Sequence, residues 1–206
     1  MLDINKIDFN KLNGLIPAVI QDQKTLQVLM VGFMNQDAVI KTLETKRVTF
    51  FSRTKNRLWE KGETSGNFLN VVDILLDCDN DSLLIFVNPI GSTCHTGDIS
   101  CFGNKSQLPL SAIGLLDKII TDRINTPKLG SYTNQLFDRG IKKIAQKVGE
   151  EGVEVVIAAL KETDLEYLGE MTDLVYHALV LLHAKNLTLD DLAQVILSRH
   201  QEKISK

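Results

Sequence analysis

The hydrophobic positions follow one period in the first half of the chain and a different one in the second. Short apolar runs rich in β-branched and aromatic residues, each bounded by turn residues, predict strands over residues 16–21, 27–33, 48–52, 70–76 and 82–87. Between the second and third runs, apolar residues with helical spacing follow Asn35, which is a suitable helix N-cap. We predict a small α+β domain, mostly β, for this half.

After a polar stretch around Gly103 and Pro109, the apolar residues recur with the period of an α-helix instead. The pattern predicts helices over residues 111–124, 134–161, 164–184 and 188–202, the last two of which follow or begin with Thr or Asp. A chain of 206 residues has room for two small domains. We place a mostly β domain at residues 1–104, a linker at 105–112 and an all-α helical bundle at 113–206.

Charge and hydropathy argue against two classes of partner, nucleic acid and the membrane. Lys and Arg number 23 against 26 Asp and Glu, so the chain lacks the basic excess that binds nucleic acid. Its longest apolar runs fall far short of the ~20 residues that span a membrane. A secretion signal typically has a basic start followed by an apolar block, and the first residues of this sequence do not show that pattern. We expect a cytoplasmic protein with neither membrane nor nucleic-acid partners.

The three cysteines lie close together in the sequence, at Cys78, Cys94 and Cys101. An odd number in an intracellular chain argues against a disulfide framework. Three thiolates are one ligand fewer than a closed structural zinc site has, which leaves a position for a water that ionises near neutral pH. His95 could carry the proton. The alternative is that the cysteines are small buried hydrophobic residues and that His95 makes a packing contact in a loop.

Three aspartates follow the fourth predicted strand run. If the segment stays extended, Asp77, Asp79 and Asp81 point to one face and Cys78 to the other. Carboxylate oxygens suit Mg²⁺, whereas thiolates suit Zn²⁺. The alternative is a solvated acidic turn. Because a predicted strand and a turn separate Cys78 from Cys94, a dimer interface is one way to bring these two cysteines together.

A basic segment and a Gly/Ser/Thr-rich loop follow each other at residues 47–67. Arg and Lys side chains bind phosphates, and such a loop lets backbone N–H groups approach an anion. A phosphorylated small molecule fits this pattern, although a charge run is also typical of a solvated face. Trp59 either stacks on a base or packs in the core. The predicted substrate contacts are Arg53, Lys61, Glu63, Thr64, Ser65, Gly66 and, in the second half, Lys147.

Acidic residues recur at helical spacing in the second half. A helix places Glu150, Glu151 and Glu154 along one side, and the next predicted helix carries Glu170 and Asp173, with a histidine one turn later. Two antiparallel helices would bring both sets together, as helical bundles do to hold divalent metals. The alternative is an ordinary charged helix surface. The apolar stripe expected on the opposite side of the first helix is Ile141, Ile144, Val148, Val155 and Ala159.

Several long stretches carry a specific resemblance. In the first half they are Val48-Thr-Phe-Phe-Ser-Arg, Leu58-Trp-Glu-Lys-Gly-Glu-Thr-Ser-Gly, Asp77-Cys-Asp-Asn-Asp, Cys94-His-Thr-Gly and Ser100-Cys-Phe. In the second half they are Gln146-Lys-Val-Gly-Glu-Glu-Gly-Val-Glu and Glu170-Met-Thr-Asp-Leu-Val-Tyr-His. Nearly the whole chain resembles the bifunctional phosphoribosyl-AMP cyclohydrolase / phosphoribosyl-ATP pyrophosphohydrolase of histidine biosynthesis.

For the first half, the resemblance implies hydrolytic opening of the adenine ring of phosphoribosyl-AMP between N1 and C6. It implies that Zn²⁺ is held by Cys78, Cys94 and Cys101 drawn from both subunits of a homodimer. The three aspartates would hold Mg²⁺. His95 is the candidate catalytic residue that moves the proton.

For the second half, the resemblance implies an all-α nucleotide pyrophosphohydrolase fold that converts phosphoribosyl-ATP to phosphoribosyl-AMP and pyrophosphate. Its product feeds the first domain. Mg²⁺ would be held by the five acids of the two helices, with Glu151 and Glu154 catalytic. Gly152 stands where the family usually has Ala. Since glycine costs a helix about 1 kcal/mol relative to alanine, its presence hints at a close approach there. A Ser131-Tyr-Thr stretch also resembles the family, but its chemistry assigns it no role.

Two other hypotheses remain open. The chain could be a general nucleotide pyrophosphatase whose zinc-binding half is a structural or regulatory module. It could also be a zinc-containing sensor that binds phosphoribosyl ligands without turnover. Cleavage of many nucleoside triphosphates without ring opening would favour the first, and tight binding of unchanged ligand in both sites would favour the second.

Overall fold

The computed structural model describes residues 2–103 and 111–204. The chain forms two units, whose boundary lies between Ala112 and Ile113. Residues 105–110, which are most of the predicted linker, lie outside the described residues. The first unit consists mostly of strands and the second of helices, which confirms the predicted fold class.

Every strand that the sequence predicts is present in the first unit, together with one that it does not predict. The strands are Ile16–Asp22 (β1), Val28–Met34 (β2), Thr49–Ser52 (β3), Arg57–Glu60 (β4), Leu69–Leu76 (β5) and Leu83–Pro89 (β6). Strand β4 is missed because its charged ends are typical of a solvated segment. It pairs with β3 in an antiparallel hairpin in which Phe50 lies opposite Trp59.

Strands β2, β1, β6 and β5 form one sheet in that order. Strand β1 runs antiparallel to β2 and parallel to β6, and β5 runs antiparallel to β6. Alternate residues of β1 face the core, so Ile16, Ala18 and Ile20 are fully buried. Because β6 has 7 residues, the turn before Leu83 and the loop after Pro89 lie at opposite ends of a strand about 20 Å long.

The helix of the first unit, Gln36–Thr45 (α1), begins where the sequence predicts. The Asn35 carboxamide oxygen accepts a hydrogen bond from the backbone N–H of Ala38 at 2.9 Å, which confirms the N-cap. The hydroxyl of Thr42 is buried, and it accepts a hydrogen bond from the backbone N–H of Thr49 at 2.9 Å. This contact ties α1 to β3.

The second unit is helical throughout its described secondary structure. Its helices are Ser111–Asn125 (α2), Tyr132–Arg139 (α3), Ile141–Lys161 (α4), Asp164–Ala184 (α5) and Leu189–Ile204 (α6). The prediction of one continuous helix over 134–161 is wrong, because Gly140 has a φ of +78° and separates α3 from α4. A helix cannot continue through that conformation, which glycine adopts without strain. None of the described helices has the length and apolar character needed to cross a lipid bilayer.

Helices α4 and α5 form an antiparallel hairpin. Thr163 and Glu166 build a capping box at the start of α5, which explains the sharp turn after α4. The buried positions of α4 are Ile144, Glu151 and Ala158. The predicted apolar stripe is therefore wrong in part, since one of the acids expected to face away from the core lies on the buried face. The physical reason is that this carboxylate has polar and charged partners in the interior of the hairpin, which are described below.

Candidate metal and substrate sites

A cavity of about 350 Å³ lies in the first unit, at the end of the sheet where β6 leads into residues 90–103. This loop is held against β2, because Ser100 Oγ donates to Val28 O at 2.8 Å and Cys101 N donates to Leu29 O at 2.8 Å. The lining residues are Met30, Trp59, Lys61, Gly62, Thr64, Ser65, Asn67, Ser92, Thr93, Cys94, His95, Gly97 and Cys101. The cavity therefore combines the cysteine loop with part of the predicted phosphate-binding segment.

Two of the three cysteines meet at this cavity. The Thr96 hydroxyl lies 3.1 Å from Cys94 Sγ, and its hydrogen bond lowers the pKa of the Cys94 thiol. Burial raises the pKa of the Cys101 thiol, and the neighbouring Cys94 raises it further. His95 is exposed beside them, with Nδ1 3.8 Å from Cys94 Sγ. The loop thus offers two sulfur ligands and an adjacent imidazole.

Lys61 is a buried cation in the wall of the same cavity, with only 8% of the residue exposed. Burial lowers the pKa of its ammonium group, and the nearby Cys101 and Cys94 oppose that shift. Because a buried charge favours a counter-charge, this ammonium favours an anionic group in the cavity. Thr64 and Ser65 line the cavity beside it and supply further hydrogen-bond donors.

The remaining predicted substrate contacts of the first unit lie elsewhere. Among the described residues that line the cavity, Arg53, Glu63 and Gly66 are absent. The Arg53 guanidinium lies 4.0 Å from the centroid of the Phe33 ring. Glu63 forms an ion pair with Arg57, and this pairing lowers the pKa of the glutamate. In the chain alone, these two charged side chains are therefore engaged with other residues.

Cys78 does not share the cavity with the other two cysteines. It is exposed in the turn between β5 and β6, at the opposite end of β6 from the cavity. Within the described part of a single chain, the three cysteines form no cluster whose sulfur atoms could bind one ion. The described part of one copy therefore does not bring the three predicted zinc ligands together.

The same turn gathers the three aspartates. One carboxylate oxygen from each of Asp77, Asp79 and Asp81 lies within 4.8 Å of the others. The extended conformation assumed for this segment is wrong, since β5 ends before Asp77 and Asn80 has a φ of 66°. Asp77 Oδ1 instead accepts a hydrogen bond from the backbone N–H of Asp81 at 2.9 Å, which closes the turn.

A cation already lies against this acidic turn. Lys11 Nζ is 3.0 Å from Asp79 Oδ2 and 3.3 Å from Asp81 Oδ2. All three side chains are partly exposed, so the ion pairs contribute little stability. The contact shows that the arrangement of the carboxylates attracts positive charge.

Thr93 is a site residue that the sequence analysis misses. It is 2% exposed, lines the cavity and directly precedes Cys94. Among the described residues its hydroxyl oxygen has no hydrogen-bond partner. A buried polar atom without a partner is rare, and it indicates that a water or a bound group completes the site. The only signal in the sequence is its position next to a predicted ligand.

In the second unit, helices α4 and α5 bring three acids together. One carboxylate oxygen from each of Glu151, Glu154 and Glu170 lies within 4.8 Å of the others. Glu151 is 4% exposed. A solvated helix surface does not bury a glutamate in this way, which argues against the ordinary charged surface.

Lys147 compensates part of this charge. Its Nζ lies 2.7 Å from Glu151 Oε1 and 3.0 Å from Glu150 Oε2. Burial raises the pKa of Glu151, but the hydrogen bond and charge of Lys147 outweigh burial and hold the pKa below its usual range. The neighbouring Glu151 raises the pKa of Glu154. The negative charge of Glu151 thus disfavours a second negative charge on Glu154.

The other two predicted ligands lie outside this group of three. Glu150 Oε1 accepts a hydrogen bond from Gln146 Nε2 at 2.7 Å, and Asp173 is exposed. The close approach that Gly152 hinted at is not found within the chain: a Cβ added there meets no described atom within 4 Å. The helix at this point has room for a side chain.

The three groups of candidate ligands do not all fit the same ion. Three carboxylates that converge on one point, one of them buried, match the oxygen ligands that Mg²⁺ prefers. Two thiols with a neighbouring imidazole match part of a zinc site. The aspartate turn offers oxygen ligands only, which also suits Mg²⁺.

Comparisons with known proteins agree with this division. A sequence model of the phosphoribosyl-AMP cyclohydrolase family matches residues 30–103, and one of the phosphoribosyl-ATP pyrophosphohydrolase family matches residues 114–200. The chain is 53% identical to the histidine biosynthesis bifunctional protein HisIE of Bacteroides thetaiotaomicron, over 98% of this chain and 99% of that protein. It is 52% identical to the protein of the same name from Campylobacter jejuni, over 95% of each chain. For the one from Pasteurella multocida the identity is 53%, over 95% of this chain and 98% of that protein.

Both family matches fall on the units that the fold separates: the first covers the cysteine loop and the aspartate turn, and the second covers the helical carboxylates. The relatives match along almost their whole length, so the order of the two parts is also shared. The chain belongs to the family of bifunctional histidine biosynthesis proteins that join a phosphoribosyl-AMP cyclohydrolase to a phosphoribosyl-ATP pyrophosphohydrolase.

Proposed function

We propose that the carboxylate cluster of α4 and α5 is where phosphoribosyl-ATP is cleaved to phosphoribosyl-AMP and pyrophosphate. The observation that carries this proposal is the convergence of Glu151, Glu154 and Glu170, with Glu151 buried in the hairpin. Mg²⁺ bound there would neutralise phosphate oxygens and make a water molecule more acidic. The acids themselves would otherwise repel a triphosphate.

The protein residues have separate tasks in this reaction. Lys147 holds Glu151 in place from the same helix, at 2.7 Å. Glu154 is exposed and its pKa is raised by Glu151, so its carboxylate is suited to accept a proton from the attacking water. Glu150 and Asp173 flank the cluster and complete the proposed ligand set on the two helices.

The cavity of the first unit is the proposed site of adenine-ring opening. Cys94 and Cys101 supply two sulfur ligands for Zn²⁺, and Cys78 of a second copy supplies the third. Zn²⁺ would provide a water that ionises near neutral pH. His95 moves the proton during attack on C6, since its ring lies beside Cys94 and lines the cavity. Lys61, Thr64 and Ser65 bind the ribose phosphates from the same wall.

The separation of the cysteines in the first unit supports a homodimer. The turn with Cys78 and the loop with Cys94 lie at opposite ends of β6, so no small rearrangement within one chain joins them. A two-fold related copy would place its Cys78, together with its Mg²⁺-binding aspartates, at the cavity of the first. We also propose that the enzyme works in the cytoplasm.

The test is to incubate the purified protein with phosphoribosyl-ATP, Mg²⁺ and Zn²⁺. Released pyrophosphate reports on the second unit, and the ultraviolet change of the opened purine ring reports on the first. We expect both signals, with pyrophosphate release leading. Pyrophosphate without ring opening would reduce the first unit to a regulatory module, and neither signal would favour a sensor.

A further inference from the structure

The Ser131-Tyr-Thr stretch opens helix α3, and each of its side chains has a partner. The Ser131 hydroxyl caps the helix by accepting from the backbone N–H of Asn134 at 3.4 Å. Thr133 Oγ1 lies 2.8 Å from the hydroxyl of Tyr176 on α5. The hydroxyl of Tyr132 lies 3.2 Å from Nε2 of His177, also on α5. Two neighbouring hydroxyl contacts therefore join α3 to α5.

The ring of His177 has a defined tautomer in this arrangement. It is 4% exposed, and its Nδ1 lies 2.9 Å from the backbone carbonyl oxygen of Asp173. A carbonyl oxygen only accepts, so Nδ1 carries the hydrogen. In the neutral ring Nε2 is then an acceptor, and the Tyr132 hydroxyl donates to it. Tyr132 and Tyr176 also contact the ring edge-on, with centroids 5.9 and 5.0 Å away.

The protonated side of the same ring faces the buried acid of the metal cluster. His177 Nδ1 lies 3.6 Å from Glu151 Oε1, the oxygen that also accepts from Lys147 at 2.7 Å. The carboxylate of Glu151 thus accepts a hydrogen bond from the Lys147 ammonium group on its own helix, and from α5 the Nδ1 edge of the imidazole lies against the same oxygen while its hydrogen is donated to Asp173 O. Turning the ring by half a rotation would put the ring carbon Cδ2 in place of Nδ1 beside that oxygen and would break the hydrogen bond to Asp173 O.

We propose that Tyr132 is a positioning residue of the pyrophosphohydrolase site, which fixes the ring of His177 and through it the carboxylate of Glu151. This inference rests on the proposed function of the carboxylate cluster. The hydroxyl of Tyr132 sets which edge of the imidazole faces Glu151. The hydroxyl of Tyr176, the residue before His177, pairs with Thr133 and does not orient the imidazole ring.

Removal of the Tyr132 hydroxyl takes the protein donor from Nε2, so only the hydrogen bond from Nδ1 to Asp173 O still fixes the ring and its orientation is held less firmly. Glu151 then samples positions that bind a cation less well. Partners of this kind, which orient a ligand without touching the metal, typically change metal affinity or activity by 10–100-fold. For a single neutral hydroxyl we expect about tenfold, the lower end of that range.

The test compares Tyr132→Phe with Tyr176→Phe in the full chain. Both variants keep an aromatic ring and lose one hydroxyl between α3 and α5, so a purely structural role predicts equal effects. We expect Tyr132→Phe to raise the Mg²⁺ concentration for half-maximal pyrophosphate release about tenfold, and Tyr176→Phe to stay within about twofold of the parent. Ring opening of phosphoribosyl-AMP should be unchanged in both, and an unchanged helical signal in far-ultraviolet circular dichroism confirms that the second unit is folded.

Direct binding provides a readout that does not depend on turnover. Mn²⁺ prefers the same oxygen ligands, and its free concentration can be followed by electron paramagnetic resonance. The measurement uses the full chain with Asp77→Asn, Asp79→Asn and Asp81→Asn, so that the aspartate turn does not contribute. In this background Tyr132→Phe should weaken Mn²⁺ binding about tenfold, and Tyr176→Phe should not.

A third variant distinguishes failure of the positioning role from failure of the proposed function. Glu151→Gln should abolish both Mn²⁺ binding and pyrophosphate release if the carboxylate cluster is the site. If Glu151→Gln abolishes both properties but Tyr132→Phe leaves the Mg²⁺ and Mn²⁺ affinities unchanged, the positioning role is wrong. It is also wrong if Tyr176→Phe has the same effect as Tyr132→Phe. If Glu151→Gln retains both properties, the proposed function itself fails.

Discussion

The carboxylate cluster of the second unit and the cysteine site of the first unit differ in how far apart their residues lie along the chain. In the second unit, Glu151 and Glu154 are one helical turn apart, and a short hairpin brings Glu170 to them. In the first unit, Cys78 and Cys94 are separated by the full length of β6 and do not meet within one chain. A cluster built by local helical spacing is complete in a single copy, whereas one divided by a strand depends on distant parts or on a second copy.

The largest expected effect is a clean separation of the two activities. Glu151→Ala combined with Glu154→Ala should lower pyrophosphate release by about a thousandfold, since a metal site supplies several kcal/mol of transition-state stabilisation. Ring opening of phosphoribosyl-AMP should remain. Cys101→Ala should do the reverse. Each activity is assayed with its own substrate.

The matched control for the helical acids is Glu162→Ala, which removes an exposed glutamate just beyond α4. It should leave both activities unchanged. Loss of both activities from either the glutamate or the cysteine variant would contradict two independent sites.

The difference between local spacing and contacts of distant elements also decides what the sequence can predict. Helical spacing predicts the grouping of Glu151 and Glu154, because i,i+3 residues are neighbours on any helix. Local signals likewise predict the α1 cap, from the residue type of Asn35, and the alternating burial of β1, from its period of two. They do not predict Gly140 as a break, since one residue of positive φ leaves no trace in an apolar pattern.

Contacts between distant elements are also invisible to periodicity. The burial of Glu151 depends on its packing against α5, and the contact of Tyr132 with His177 joins residues 45 positions apart. The aspartates cluster for a reason other than the predicted one, because backbone hydrogen bonds to Asp77 fold the segment into a turn. Motif resemblance identified these residues, but their packing required the structure.

Subunit complementation tests whether the divided site is completed by a second copy. Cys78→Ala and Cys101→Ala proteins should each lack ring opening. Mixed and reassembled, they should recover about a quarter of the parent activity, because half of the random dimers contain one intact site out of two. Recovered activity is measured on phosphoribosyl-AMP. Mixing Cys94→Ala with Cys101→Ala is the control, and it should recover nothing because both cysteines come from one loop.

No recovery in the first mixture, despite exchange of subunits, would mean that all three cysteines act within one chain. Equal recovery in both mixtures would mean that Cys94 and Cys101 also come from different copies. Either result would remove the contrast between the two clusters.

A smaller effect is expected from Gly32→Ala in β2. A Cβ there would lie 2.3 Å from the ring of Phe50, which is 2% exposed and comes from the separate strand β3. Because the ring is enclosed by the core, we expect a loss of about 2–3 kcal/mol in the free energy of unfolding. Fluorescence of Trp59, which packs against Phe50 at a centroid distance of 5.7 Å, reports unfolding of this unit. Gly32→Ala combined with Phe50→Leu should recover part of the loss, and no loss in the single variant would show that β2 and β3 are not tightly packed.

The smallest expected effect is a gain in stability from Gly152→Ala in α4. A methyl group added at Gly152 meets no described atom within 4 Å, and alanine favours a helix over glycine by up to about 1 kcal/mol. Far-ultraviolet circular dichroism should show the helical transition stabilised by about 0.5–1 kcal/mol, while the Trp59 transition stays unchanged. Pyrophosphate release should persist, since the methyl group replaces no ligand. A loss of stability would mean that a surface outside this chain approaches Gly152. In that event the helical cluster, like the cysteine site, would depend on a second copy.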